Sequence, residues 1–216
     1  MIRLSRVSKF YRTETHRKVV LDAVTYLFDA QYTYGIFGSN GAGKSTLLRL
    51  IGGTELPNSG QIFRDVRISW PLGFGGGFHP LMTGRENIKF ASRIYGANPR
   101  RVFDFVEYFS ELGNYLDMPV GTYSSGMQAR LAFGLSMAID FDCYLVDEIT
   151  AVGDARFALR CRQAFEEKRG RSSMIMVSHD VGTIKAYCDR GLVLYRGKLV
   201  AFSRIDDAIE FYRKNL

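Results

Sequence analysis

In this 216-residue chain, one stretch combines residue types and spacing that point directly to phosphate chemistry. Gly38, Gly43, Lys44 and Ser45 fit G-x-x-x-x-G-K-[ST], the phosphate-binding loop. Glycines in Gly38-Ser39-Asn40-Gly41-Ala42-Gly43 let backbone N–H groups curl around phosphate oxygens. The helix that follows, through Lys44, Ser45 and Thr46, points its positive end at the same anion. Lys44 can reach the β- and γ-phosphates, and the Ser45 hydroxyl can ligate Mg²⁺. A glycine-rich turn matches this pattern by accident on the order of once in a hundred chains of this length. The spacing therefore implies a nucleoside triphosphate site.

Two further stretches supply groups that such a site uses. Cys143-Tyr144-Leu145-Val146-Asp147-Glu148 reads as a buried parallel strand ending in two acids. In an open α/β sheet, ligands sit beyond the carboxyl ends of the strands. Asp147 is placed to hold Mg²⁺ through water, as in other phosphate-loop NTPases, and Glu148 to orient and deprotonate the attacking water. Ser173 to Val177 is another buried strand, and His179 follows it at the same sheet edge, where a γ-phosphate contact is available.

The elements that position these groups alternate in type. Tyr32 to Phe37 reads as the strand before the loop, and Leu47, Leu48, Leu50 and Ile51 as the helix after it. Residues 1–8 and Ala23 to Phe28 alternate as strands, with a polar, basic loop expected from Lys9 to Lys18. In that loop, Phe10 and Tyr11 are either satellite core residues or aromatics able to stack on a purine. Gln61 to Arg64 begins another strand. Ile68 to Pro80, with Gly75-Gly76-Gly77, reads as a flexible segment. Thr83-Gly84-Arg85-Glu86 is a capping box for a helix carrying Ile88, Ala91, Ile94 and Tyr95. Asn98-Pro99 starts a second helix, with Val102, Phe105, Val106, Phe109 and Leu112 on one face. Ser124 and Ser125 precede an apolar segment as N-cap residues do. Arg196-Gly197 marks a hairpin, and Ile205 to Tyr212 an amphipathic C-terminal helix.

Composition narrows the class. A chain that is 46% hydrophobic and 24% charged reads as an ordinary soluble globular protein. No apolar run approaches the roughly 18–20 residues of a membrane span, and Met1 to Arg6 opens no signal peptide. A cytoplasmic protein is expected, with any membrane role supplied through partners. Cys143, Cys161 and Cys188 are odd in number and unpatterned, which suits reduced core thiols. The net charge of +7 invites a nucleic-acid partner, but the basic residues are dispersed and no recognition motif accompanies them.

Taken together, the order of these motifs resembles the ATPase domains of ABC transporters over essentially the whole chain. Ser124-Ser125-Gly126-Met127 is similar to the family's signature, normally Ser-Gly-Gly-Gln, with Ser125 in place of a glycine and Met127 in place of the glutamine. The resemblance makes Ala151-Val152-Gly153-Asp154 the D-loop, with Asp154 communicating between subunits. It makes His179 the switch histidine and Tyr11 the aromatic that stacks on adenine. Ile68-Ser69-Trp70-Pro71, Leu81 to Asn87, Tyr123 to Met127 and Ala151 to Phe157 are similar, more narrowly, to the ATPase subunits of bacterial polysaccharide exporters, above all capsule exporters of Gram-negative bacteria. Relatives that export O-antigen often add a C-terminal carbohydrate-binding domain, for which this chain leaves no room.

The resemblance implies an α/β fold: a phosphate-loop NTPase core with a parallel sheet, N-terminal antiparallel strands and an inserted helical subdomain. Residues 1–216 would form a single ABC ATPase domain, with the helical subdomain at about 80–140 inserted in the RecA-like core. It implies ATP and Mg²⁺ as ligands, and a second copy of the chain completing a head-to-tail sandwich of two ATP molecules. Integral membrane permease subunits and further envelope export components would be partners at the cytoplasmic face of the bacterial inner membrane, and nucleic acid would not. One departure stands out. The family carries a flexible-loop glutamine that touches Mg²⁺, yet no glutamine lies between Gln61 and Gln128, and His79 occupies roughly that slot. A neutral imidazole can accept from metal-bound water, or His79 stands by. The alternative is a soluble ABC-type ATPase acting on nucleic acid or the ribosome. Such proteins generally pair two ATPase domains or carry long coiled coils, and this chain has neither. A nucleotide kinase or GTPase is also set aside: no Asn-Lys-x-Asp motif follows the Asp147-Glu148 strand.

Overall fold

The computed structural model describes residues 1–12, 15–72, 77–147, 155–178 and 180–215. Strands β1 (Ile2–Arg12) and β2 (Arg17–Phe28) open the chain as an antiparallel pair. The expected basic loop is largely ladder: Tyr11 pairs with Lys18 and Arg12 with Arg17. Both faces of this ribbon end are exposed, so no apolar alternation marks it as strand. Then follow β3 (Thr33–Phe37), α1 (Lys44–Gly52), β4 (Ser59–Arg64) and β5 (Ile68–Leu72). The helical stretch contains α2 (Gly84–Ile94), α3 (Pro99–Ser110) and α4 (Ser125–Ala138). The chain closes with β6 (Cys143–Asp147), α5 (Ala155–Arg169), β7 (Ser173–Val177), α6 (Val181–Tyr187), β8 (Arg190–Tyr195), β9 (Lys198–Phe202) and α7 (Ile205–Asn215).

These elements group into two compact units, Met1–Pro71 with Phe141–Glu148 and Arg171–Leu216, and Leu72–Asp140 with Ile149–Gly170. In the first unit, β2-β1-β4 form a three-stranded sheet, and β5-β6-β7-β3-β8-β9 a second sheet. β6, β7, β3 and β8 run parallel, and β9 returns antiparallel through Arg196 and Gly197, both at positive φ as a primed hairpin turn requires. β3 and β7 are buried at every position, which is why both read as unbroken apolar runs. Ile68–Leu72 is a strand and not the flexible segment expected. It lies at the sheet's edge, where Pro71 costs no ladder bond, and Ser69 Oγ accepts from Leu145 N at 2.9 Å. Leu47, Leu48, Leu50 and Ile51 of α1 are buried in one core with Ile36, Leu145, Ile175 and Leu192.

In the second unit the helices begin where the capping residues indicated. Thr83 and Glu86 close a reciprocal capping box on α2, and Asn98 Oδ1 accepts from Arg100 N and Arg101 N at the start of α3. The apolar stripe of α2 is less buried than its spacing suggests. Ile94 stands 61% exposed, while the inward positions hold Asn87 and Ser92 beside Ile88. α3 ends at Ser110, before Leu112, with Glu111 at positive φ. Phe109 of α3 stacks on Phe133 of α4 and meets Phe157 of α5 edge-on, so that aromatic stripe is core. The three cysteines are buried, and none forms a disulfide. Among the described residues no helix is long and apolar enough to cross a membrane.

Candidate functional site

The phosphate loop leaves the end of β3 and enters α1 through Gly43, which sits at φ 107. A side chain there is excluded twice. The left-handed backbone disfavours any L-residue, and a Cβ would lie 2.0 Å from Val20 Cγ1 of β2. α1 then starts with no side-chain cap and no acid in its first turn. Its first N–H groups and its dipole therefore face outward with nothing of the helix's own to neutralise them. Lys44 is buried to 7% exposure, and its Nζ donates to Gly38 O at 2.7 Å and Ser39 O at 3.1 Å. The loop itself thus seats the cation. Ala42 N donates to Ser39 O at 3.1 Å, closing the turn over Asn40 and Gly41. Lys18 Nζ stands 3.3 Å from where a Cβ on Gly41 would be, which adds positive charge beside the loop.

The parallel register brings the acid to the same end of the sheet. Asp147 pairs with Val177, and Val177 pairs with Ile36, so the three form one row across β6, β7 and β3. At about 4.8 Å per strand, Asp147 stands about 10 Å from Ile36, two residues before the loop begins at Gly38. Ser45 and Asp147 together offer a hydroxyl and a carboxylate, hard oxygen donors of the kind Mg²⁺ takes alongside water and phosphate. Among the described residues no group of three or more histidines, cysteines and acids could hold a metal by itself. Glu148, His179 and Asp154 lie outside the described residues.

Tyr11 is brought to α1 by its hydroxyl, which lies 3.3 Å from Thr46 Oγ1 and donates to Glu55 Oε1 at 2.7 Å. Glu55 also accepts from Lys9 Nζ at 2.8 Å and Arg49 Nε at 3.0 Å, while Arg49 Nη2 donates to Thr46 Oγ1 at 3.1 Å. Burial pushes the Glu55 carboxyl up, but the hydrogen bonds from Lys9, Tyr11 and Arg49 overcome it and hold it down at about 2. Sequence reasoning missed this network. Lys9 and Tyr11 at i and i+2 of one strand share a face, which is the only local signal; Glu55 sits alone in a turn after Gly53.

The second unit carries the serine-glycine helix start. Ser124 caps α4, its Oγ accepting from Met127 N at 3.3 Å, so Ser125, Gly126 and Met127 form the helix's first turn rather than a loop before it. Ser124 and Ser125 are exposed. Among the described residues, Gly126 is free of the constraints that surround Gly43: a Cβ would meet only Ser124 Oγ, at 3.9 Å. His79, in the same unit, has an exposed side chain. Its backbone N–H donates to Asn87 Oδ1 at 2.8 Å, and its carbonyl accepts from Asn87 Nδ2 at 3.2 Å.

A family model described as ABC transporter matches residues 21–151. The chain is 50% identical over 220 residues to the polysialic acid transport ATP-binding protein KpsT of Escherichia coli, covering 100% of both chains. It is 49% identical to the capsule polysaccharide export ATP-binding protein CtrD of Neisseria meningitidis serogroup B, covering 98% of each. Identity to the ATP-binding protein BexA of Haemophilus influenzae is 48%, covering 99% of each. Among solved structures, a dimeric ATP-binding cassette, MJ0796, in a post-hydrolysis state with ADP and Pi, matches with a TM-score of 0.77 at 21% identity. The match covers 94% of this chain and 98% of that one, a likeness of fold.

Proposed function

Because the chain belongs to the ABC transporter family, we propose that it is the ATP-hydrolysing subunit of an exporter that carries capsular polysaccharide across the bacterial inner membrane through separate permease subunits. The row Asp147–Val177–Ile36 carries the hydrolytic part, since it sets the acid-bearing strand end beside the phosphate loop. The cargo follows the relatives, three of which match over nearly their full length.

In this reading, Lys44 and the N–H groups of Gly38 to Thr46 bind the phosphates, and Tyr11 stacks on the base. Ser45 and Asp147 are the residues that would hold Mg²⁺, which neutralises phosphate charge. Glu148 takes the proton of the attacking water as its oxygen bonds to the γ-phosphorus and ADP leaves; His179 contacts the γ-phosphate. A second copy presents Ser124, Ser125, Gly126 and Met127 to the same nucleotide, and Asp154 communicates between the copies. Among the described residues nothing crowds Gly126, which supports this, because a backbone that must be approached closely from outside gives a reason for glycine there. Residues of about 80–140, within the second unit, serve as the helical subdomain, His79 stands in the slot of the missing flexible-loop glutamine, and the assembly sits peripherally on the cytoplasmic face with further envelope export components.

The test co-expresses wild type and Glu148→Gln with candidate permease subunits and measures dimerisation and ATPase activity. The expected result is loss of hydrolysis and an ATP-bound dimer trapped on the membrane complex. A chain that stays monomeric with ATP and whose ATPase responds to RNA or DNA overturns the exporter reading in favour of a nucleic-acid ATPase.

A further inference from the structure

An aromatic ring that stacks on a base needs its plane fixed, because the contact depends on ring geometry. Packing does little of this for Tyr11, which stands 40% exposed, one rung from the last pair of the β1–β2 ladder. Polar ties replace packing. The hydroxyl donates to Glu55 Oε1 at 2.7 Å, and Lys9 Nζ lies over one ring face, 5.3 Å from the centroid. The same Glu55 oxygen accepts from Lys9 Nζ at 2.8 Å, so one carboxylate oxygen anchors both the ring's edge and the cation on its face.

The other Glu55 oxygen accepts from Arg49 Nε at 3.0 Å, and Arg49 reaches Thr46 Oγ1 at 3.1 Å, one residue beyond Ser45. Glu55 thereby ties the aromatic of β1 to the helix whose start binds phosphate. With Lys9 over one face, the other face is the one a planar partner would take.

We propose that Glu55 is a positioning residue for the nucleotide base, acting through the Tyr11 hydroxyl and setting the ring's distance from the phosphate loop. The proposal rests on the reading of Tyr11 as the base-stacking aromatic.

Isothermal titration of the whole protein, with MgATP and separately with magnesium tripolyphosphate, separates base from phosphate binding. Tyr11→Ala should weaken ATP about tenfold by loss of stacking and leave tripolyphosphate unchanged. Glu55→Ala and Tyr11→Phe should each weaken ATP about three- to tenfold, and the double variant should be no weaker than the worse single one, because both remove the same contact. Glu55→Gln retains an oxygen acceptor for the phenol and should recover part of the loss. Equal weakening of ATP and tripolyphosphate by Glu55→Ala would reduce Glu55 to a general structural residue. Should Glu55→Ala fail to fold, Tyr11→Phe carries the same test, and unchanged ATP affinity in that variant overturns the proposal. If Tyr11→Ala leaves ATP affinity untouched, the base-stacking reading itself fails and this proposal goes with it.

Discussion

Among the helix starts that carry glycine, those of α1 and α4 contrast: the described residues of the chain require the glycine at the first and not at the second. At α1, Gly43 is imposed from within by its positive φ and by Val20 at 2.0 Å from any added Cβ. At α4, a Cβ on Gly126 would meet, among the described residues, only Ser124 Oγ at 3.9 Å, and Ser124 caps the helix. Anion binding at α1 is thus built into the fold: an uncapped end, a seated lysine and a loop that closes on itself. At α4 the Ser124 side chain caps one N–H, that of Met127, and something approaching from outside would supply the reason for Gly126. That is the arrangement expected when one half of a nucleotide site belongs to the chain and the other half is completed between copies.

The largest effect expected from breaking this comparison falls on Gly43. Gly43→Ala forces a β-carbon into Val20 and an L-residue into the left-handed region, at a cost of about 2–4 kcal/mol. Urea denaturation should show that loss, and titration should show no measurable ATP binding. Gly126→Ala should invert the pattern. Its stability should hold or rise by up to about 1 kcal/mol, as for glycine-to-alanine in a helix, and ATP binding to the monomer should be unchanged. Its ATPase rate should fall about a hundredfold, because a methyl group displaces the approaching phosphate. A Gly126→Ala protein with full ATPase activity would remove the argument that α4 completes the site.

How far the sequence reveals these two starts differs for a physical reason. Gly38-x-x-x-x-Gly43-Lys44-Ser45 is legible because backbone geometry dictates its spacing, and the buried strands β3, β6 and β7 are legible because each is apolar at nearly every position. The caps at Thr83 and Asn98 were likewise written in short local patterns. Contacts between distant residues left no such trace. The bonds from Arg49, Tyr11 and Lys9 to Glu55 span 6, 44 and 46 positions, and β1 and β2 run on through residues whose two-sided exposure hides the strand. The edge strand β5 was obscured by its own Pro71 and by the neighbouring glycines. Residues 148–154 and 179 lie outside the described residues, so the roles of Glu148, Asp154 and His179 rest on motif order alone.

A smaller effect tests whether Ser124 does more than cap. A hydroxyl that accepts from Met127 N still has its own proton to donate to a phosphate oxygen. Ser124→Ala should cost about 1 kcal/mol of stability for the cap, and Thr83→Ala, which removes the equivalent cap from α2, should cost the same. The two should part in turnover: about tenfold or more lost in Ser124→Ala through the missing donor, and none in Thr83→Ala. Equal turnover in both would make Ser124 a cap and nothing else.

The smallest effect is one on stability at low pH, and it concerns the acid that fastens α1 to β1. The Glu55 carboxyl is held at about 2 against an ordinary value of 4.5, so the folded state keeps it ionised where the unfolded chain would protonate it. A depressed carboxyl stabilises fully above the unfolded value and loses that contribution as pH falls toward the folded one. Glu55 should therefore support folding undiminished above about pH 4.5 and lose its contribution progressively between there and about pH 2. In urea midpoints measured from pH 6 downward, wild type and Glu55→Gln should differ by a constant amount to about pH 4.5, then converge. Parallel curves across that range would mean that the carboxylate is not held by Lys9, Tyr11 and Arg49 in solution. The comparison would then lose its account of why the α1 end is the more firmly built of the two.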